Sequence, residues 1–123
     1  MAALALLSGL AVSGAAAEPL LPYTVQGDAI PMPLTGRPGD PARGAALIAD
    51  RHKSLCVLCH PGPFPDPHLQ GNLSPDLSGV GARLTEGQIR LRIVDMKRIN
   101  PATIMPSYYR VDADEGRRVA ASW

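Results

Sequence analysis

Hydrophobic and polar positions along this chain fall into blocks with different periodicities. The first block, Met1 to Val12, is almost unbroken apolar sequence, and Ala15, Ala16 and Ala17 follow just before Glu18. A short apolar run with an A-x-A site behind it predicts a secretory signal over 1–17; the alternative is a buried N-terminal helix. The run is too short to span a bilayer comfortably. No Lys or Arg precedes it, so either the true start lies upstream or the signal is atypical. From Glu18 the periodicity lapses, and Pro22, Pro31, Pro33 and Pro38 predict an extended, wrapping arm over 18–39.

Helical periodicity begins at Asp40-Pro41, an N-cap residue followed by proline at the first helical position. The Ala-rich run after it is good helix material. Ala45, Ile48 and Ala49 share a face, and the pattern reaches the cysteines, so one helix is expected to deliver Cys56, Cys59 and His60. Between His60 and Gly81, the prolines at 61, 63, 65, 67 and 75 forbid regular helix. A long irregular stretch of this kind is expected to be functional or folded around something. Thr85 to Ile99 predicts a second helix, opened by a Thr85/Gln88 capping box. Ile89, Ile93 and Met96 form its apolar face, and Arg90, Arg92, Lys97 and Arg98 a basic face expected to be solvated. Asn100-Pro101 ends it, and "ATIMPSYYRV" reads as loop. With no βαβ alternation and no strand pair, the fold class is mainly α with long Pro/Gly loops, and 40–123 is read as one domain.

At 123 residues one small domain is expected. Hydrophobic residues make up 46% but aromatics only 4%, which leaves little bulk for a core that a bound apolar cofactor could complete. The net charge of +1 gives no electrostatic case for nucleic acid or an anionic membrane surface.

Both cysteines of the chain lie in "CVLCH", Cys56 to His60. C-x-x-C followed by His is the attachment signature of c-type haem. Thiols three positions apart lie on one side of a helical turn and can add to the two vinyl groups of a porphyrin, while the adjacent imidazole reaches the iron. A structural zinc site needs four ligands, and the other histidines, His52 and His68, lack the spacing. A redox dithiol requires a βαβ setting. A local Cys56–Cys59 disulfide is the plain alternative in an exported protein, and leaves the His without a role.

With His60 as one axial ligand, the other comes from Met32, Met96, Met105, His52 or His68. Met105 fits best, since Pro101 and Pro106 restrict its loop and hold a weak thioether in place. Met96 suits a helix core, Met32 lies in the arm, His52 precedes the cysteines on their own helix, and bis-His ligation through His68 stays open. His/Met ligation describes an electron carrier.

"CVLCH", "SPDLSGVGARL" and a Met in a proline-flanked loop resemble a class I cytochrome c. "GNLSPDLSGVGARLTEGQIRLRIVDMKRINPATIMPSYYRV", Gly71 to Val111, is very similar to the SoxX family, the monohaem cytochrome subunits of the SoxAX complex of thiosulfate-oxidising bacteria. The resemblance covers roughly Gly39 to Val111. It implies that Pro75 accepts the Nδ1–H of His60, that Leu77 packs on the haem and that Arg83 lies near a propionate. It further implies periplasmic location and one covalent haem c. The implied partners are a SoxA-like dihaem or monohaem cytochrome subunit, a SoxY-type carrier protein and a small soluble cytochrome c as electron acceptor. In that scheme the complex joins thiosulfate to a carrier cysteine, the catalytic site lies on the SoxA-like chain, and this chain accepts the electrons. The family fold closes with a C-terminal helix that this sequence lacks, so the sequence is expected to be a fragment. Other readings are a free-standing monohaem cytochrome c for another oxidoreductase, or an exported non-haem module.

Overall fold

A computed structural model of the chain describes residues 20–110; the expected signal over 1–17 and the expected loss of a closing helix lie outside the described residues. Among these the structure is mainly helical and contains no strand, only an isolated antiparallel bridge between Gln26 and Ala29. None of their helices is long and apolar enough to cross a membrane.

Helix α1 (Pro41–Ala49) starts at a full N-cap: the Asp40 carboxylate accepts from the N–H groups of Ala42 and Arg43 at 2.9 and 3.0 Å. It does not run on to the cysteines as its periodicity suggested. At Asp50 the backbone turns extended, and the Asp50 carboxylate accepts from the His52 N–H at 2.9 Å. The N–H groups of Lys53 and Ser54 return to the Asp50 carbonyl, and the buried Ser54 hydroxyl donates to the Ile48 carbonyl at 3.1 Å. Such local bonds from Asp and Ser compete directly with helix continuation. The cysteines therefore ride a separate turn, α2 (Cys56–Cys59), and His52 sits in the exposed link between the two helices.

After a single 3₁₀ turn, Pro67–Leu69, and the short α3 (Val80–Arg83), the chain forms α4 (Glu86–Asp95). Its capping box is present: the Thr85 oxygen accepts from the Gln88 N–H at 3.3 Å, and the Gln88 side chain accepts from the Thr85 N–H at 2.9 Å. The buried face of α4 is Gly87, Leu91 and Val94, whereas Ile93, on the expected face, is 40% exposed.

What covers α4 explains the difference. Ile30, fully buried, forms the core with Leu91 and Val94, and Tyr23, Val25, Leu34, Ile99 and Tyr109 pack around them. The Ile30 N–H bonds to the Gly87 carbonyl at 2.9 Å. A Cβ at Gly87 would stand 3.0 Å from the Ile30 carbonyl oxygen, so glycine permits the approach. The expected solvated basic face is largely engaged in holding this segment. Arg90 donates to the carbonyls of Ile30 and Pro31, Arg92 pairs with Asp28 at 3.6 Å, and the Gln88 amide donates to Asp28 at 2.9 Å. Arg98 pairs with Asp95 at 3.7 Å, and Lys97 is exposed. Asp95 closes the helix by accepting from the Lys97 N–H and from the Ser107 hydroxyl, and a 3₁₀ turn, Met96–Arg98, follows.

Candidate functional site

Cys56 and Cys59 are free, half-buried thiols at the two ends of the single turn α2, and between them Val57 points into the protein. His60 leaves this turn in extended conformation (φ −106°, ψ 126°), with its N–H on the Cys56 carbonyl at 2.9 Å. The Nδ1 of His60 lies 2.7 Å from the carbonyl oxygen of Pro75. A carbonyl only accepts, so this contact requires the proton on Nδ1 and leaves the Nε2 lone pair available as a ligand.

The proline-rich chain after His60 is irregular yet well fastened. It folds back along α2, with the N–H groups of Gly71, Ser74 and Leu77 bonding to the carbonyls of Val57, Cys59 and Pro61 at 2.8, 2.9 and 2.9 Å. Gly71 comes so close that a Cβ there would collide with the Leu58 carbonyl. Gln70 ties the loop internally: its side-chain oxygen accepts from the Gly62 N–H at 2.8 Å and its amide donates to the Phe64 and Pro65 carbonyls. Prolines cannot supply these N–H groups, so the few residues that can are spent on holding the loop to the cysteine turn.

Leu77 is half-buried, and Arg83 is exposed but committed to the backbone of this same loop. Its guanidinium donates to the Ser78 carbonyl at 2.7 Å and to the Asp76 carbonyl at 3.4 Å. Hydrogen bonds from the Ser78 hydroxyl and N–H hold the Asp76 carboxyl below its ordinary range, and the Arg83 charge adds to this. Pro75 thus presents its carbonyl from a turn fixed on its C-terminal side.

Met105 is half-buried in the loop after α4, its N–H on the Thr103 hydroxyl at 3.1 Å. The loop is fixed by Ser107 on Asp95 at 2.8 Å and by the Tyr108 N–H on the Ile93 carbonyl at 3.2 Å. Tyr108 is buried. Burial pushes its phenol above the ordinary value, the nearby Cys56 and Cys59 add to that, and a backbone hydrogen bond from Leu55 works against it. Its side chain therefore reaches the cysteine turn. Of the other candidate ligands, Met32 is 69% exposed, His52 and His68 are exposed, and Met96 is half-buried.

The structure thus gathers Cys56, Cys59, His60, Pro75 and Leu77 around one turn, and links the Met105 loop to that turn through Tyr108. Sequence reasoning did not single out Gln70, Gly71 or Tyr108 as parts of this assembly. A Gln within a proline-rich loop carries no signature, and Tyr108 stands in a stretch that reads only as loop. The donor set fits a covalent haem: two thiols free on one turn, an imidazole with Nε2 as lone pair, and exposed apolar residues at Leu58, Leu73 and Ile104 beside the motif, the Pro75 loop and Met105.

No protein-family model matches the chain, and no curated protein matches it. Among solved structures the chain is similar to the crystal structure of SoxXA from P. pantotrophus. The two share 32% sequence identity with a TM-score of 0.69, over 81% of this chain and 74% of that one.

Proposed function

The chain belongs to the SoxXA family, and from that membership we propose that it is the SoxX-type, monohaem electron-transfer subunit of a thiosulfate-oxidising complex. The observation that carries this reading is the Nδ1–Pro75 hydrogen bond of a histidine that directly follows C-x-x-C, an imidazole held in the tautomer and orientation a metal ligand requires. Cys56 and Cys59 would hold one haem c through thioether bonds, and His60 and Met105 would ligate its iron. The group would supply reversible one-electron transfer, and a Met ligand in place of a second His would favour the reduced state.

The chain's own residues do the rest. Pro75 keeps the His60 proton on Nδ1, and Leu77 would pack against the group. Arg83 secures the Pro75 turn and would lie near a propionate of the group. With both cysteines consumed, this chain keeps no thiol for sulfur chemistry. The joining of thiosulfate to the cysteine of a SoxY-type carrier is therefore assigned to a SoxA-like partner, and this subunit passes the electrons to a small soluble cytochrome c. In this reading residues 1–17 direct export to the periplasm, 18–39 form the arm and 40–123 the cytochrome domain.

Expression in the periplasm with a SoxA-like partner tests the proposal. A pyridine haemochrome spectrum of c-type haem and co-purification of the two chains are the expected results. A haem-loaded chain that ignores the partner points to a free-standing carrier, and a chain without haem overturns the reading.

A further inference from the structure

The peptide unit joining Pro61 to Gly62, just beyond His60, is held from both sides. Its carbonyl, on Pro61, accepts from the Leu77 N–H at 2.9 Å. Its N–H, on Gly62, donates to the side-chain oxygen of Gln70 at 2.8 Å. Pro61 and Pro63 carry no N–H, so Gly62 offers the one backbone donor between His60 and Phe64. The Gln70 amide is fixed in turn. Its nitrogen donates to the Phe64 and Pro65 carbonyls at 2.9 and 3.2 Å, which leaves its oxygen for Gly62. The next residue, Gly71, bonds through its N–H to the Val57 carbonyl at 2.8 Å, and a Cβ there would collide with the Leu58 carbonyl. Gln70 therefore projects from a point fastened to the cysteine turn itself.

We infer that Gln70 is a positioning residue for His60, acting through the Pro61–Gly62 peptide that it shares with Leu77. The inference rests on the reading of His60 as a haem ligand. Two rungs join residues 60–61 to residues 75–77: the Nδ1–H of His60 on the Pro75 carbonyl at 2.7 Å, and the Leu77 N–H on the Pro61 carbonyl at 2.9 Å. Pro75 and Leu77 stand two residues apart, so a shift at one rung is felt at the other. Successive hydrogen bonds polarise one another, and a peptide whose N–H is bonded presents a stronger acceptor carbonyl. The Gln70 oxygen thus strengthens the Leu77 rung and fixes the peptide plane that carries it. With that rung firm, the Pro75 carbonyl stays in line with the His60 Nδ1. Without Gln70 the half-buried Gly62 N–H loses its partner, the plane is free to tilt, and the hold on Nδ1 weakens.

The test compares the intact haem-loaded chain with Gln70→Met, which keeps the length of the side chain and removes its polar atoms. Gln88→Met is the control, because Gln88 also bonds through both ends of its amide, to Thr85 and Asp28, but does so on α4. Proton exchange of the Leu77 amide and of the His60 Nδ1–H, followed by NMR on the reduced protein, should quicken about three- to tenfold in Gln70→Met, the scale of one lost hydrogen bond. Its reduction potential should rise, since a weaker Nδ1 hydrogen bond makes the imidazole a poorer donor. A loop that is merely slack admits water and favours the more highly charged oxidised state, which lowers the potential. The sign of the shift therefore separates positioning from general loosening. Gln88→Met should lose stability and change neither the exchange rates nor the potential. An unchanged or lowered potential in Gln70→Met overturns the inference, as do unaltered exchange or equal shifts in both variants. Should Gln70→Met take up no haem, the wild-type chain decides: a Gly62 amide as protected as that of Gly71 supports the inference, and one that exchanges like an unbonded amide overturns it. A wild-type chain that takes up no haem overturns the functional reading and this inference with it, whereas a haem-loaded chain indifferent to Gln70→Met overturns the inference alone.

Discussion

The imidazole of His60 donates its Nδ1 proton to the carbonyl oxygen of Pro75 at 2.7 Å, across fifteen positions of chain. That carbonyl belongs to a turn with its own fastening, since Arg83 holds the next carbonyl along, at Asp76, and the one at Ser78. The orientation of the histidine is therefore set at one remove by a side chain that never touches it.

Arg83→Ala should thus have a double signature. Loss of the two carbonyl contacts is expected to cost about 1 kcal/mol of stability, as for ordinary exposed hydrogen bonds, read as a lower denaturant midpoint. In the haem-loaded chain the less firmly held Nδ1–H makes His60 a poorer donor, and the reduction potential should rise. A variant matching the wild type in both midpoint and potential would remove Arg83 from this role.

Gly71 sets up a contrast between two glycines of the same loop. A Cβ at Gly71 would meet the Leu58 carbonyl, its carbon at 2.6 Å, and both groups are backbone. At Gly62 the nearest atom, also 2.6 Å away, belongs to the Phe64 ring, which can turn aside. Gly71→Ala is expected to destabilise by about 3 kcal/mol or more and to lower haem incorporation sharply. Gly62→Ala should cost about 1 kcal/mol or less. Chemical denaturation of the pair checks this, and equal losses would contradict the packing argument.

These contacts mark where the sequence was readable. Asp40, Pro41, Thr85 and Gln88 announce helix starts through short-range bonds, and the structure forms those bonds. The spacing of Cys56, Cys59 and His60 is likewise local. The break at Asp50 was hidden because no Pro or Gly marks it between Asp50 and Cys56, while the competing bonds come from Asp50 and Ser54. The buried face of α4 could not be read from α4 alone. Leu91 and Val94 are buried because Ile30 comes from about sixty positions earlier to cover them, and Arg90 and Arg92 look like surface charge until their carbonyl and carboxylate partners are in place.

Ile30 and Ile93 put that core to the test. Ile30→Ala removes a fully buried side chain from between Leu91 and Val94 and is expected to cost about 2–5 kcal/mol. Ile93→Ala, at a residue 40% exposed, should cost about 1 kcal/mol or less in the haem-free chain. Thermal unfolding of both variants measures the difference, and a reversed order would place the core on the face that the periodicity of Ile89, Ile93 and Met96 suggested.

Acid should loosen the Pro75 turn through Asp76. Hydrogen bonds from Ser78, together with the Arg83 charge, hold its carboxyl below the ordinary value. A folded pKa below the unfolded one contributes stability that is fully present above about pH 4 and is lost as pH falls through the folded value. The Asp50 carboxyl, lowered chiefly by the His52 N–H, contributes in the same direction. Asp76→Asn keeps an acceptor for the Ser78 N–H but takes up no proton, so its stability should fall less steeply than that of the wild type below pH 4. Parallel acid slopes for the two proteins would mean that Asp76 is not coupled to the fold.

Met105 carries the last prediction, because its loop is the part of the site least determined by the C-x-x-C-H motif. Its N–H is capped by Thr103, and the loop is closed by Ser107 on Asp95. Both bonds are backbone or neighbouring-residue contacts that survive truncation of the Met side chain. Met105→Ala should therefore fold, with a stability loss of about 1–3 kcal/mol for a half-buried Met. It should still attach haem through Cys56 and Cys59, yet lose the weak far-red Met–iron absorption of the oxidised protein. Its reduction potential should fall, since the thioether favours the reduced iron. Survival of the band would transfer the ligand role to Met96 or Met32. Met32 is the poorer substitute, because its side chain is 69% exposed and would have to leave solvent to reach the site.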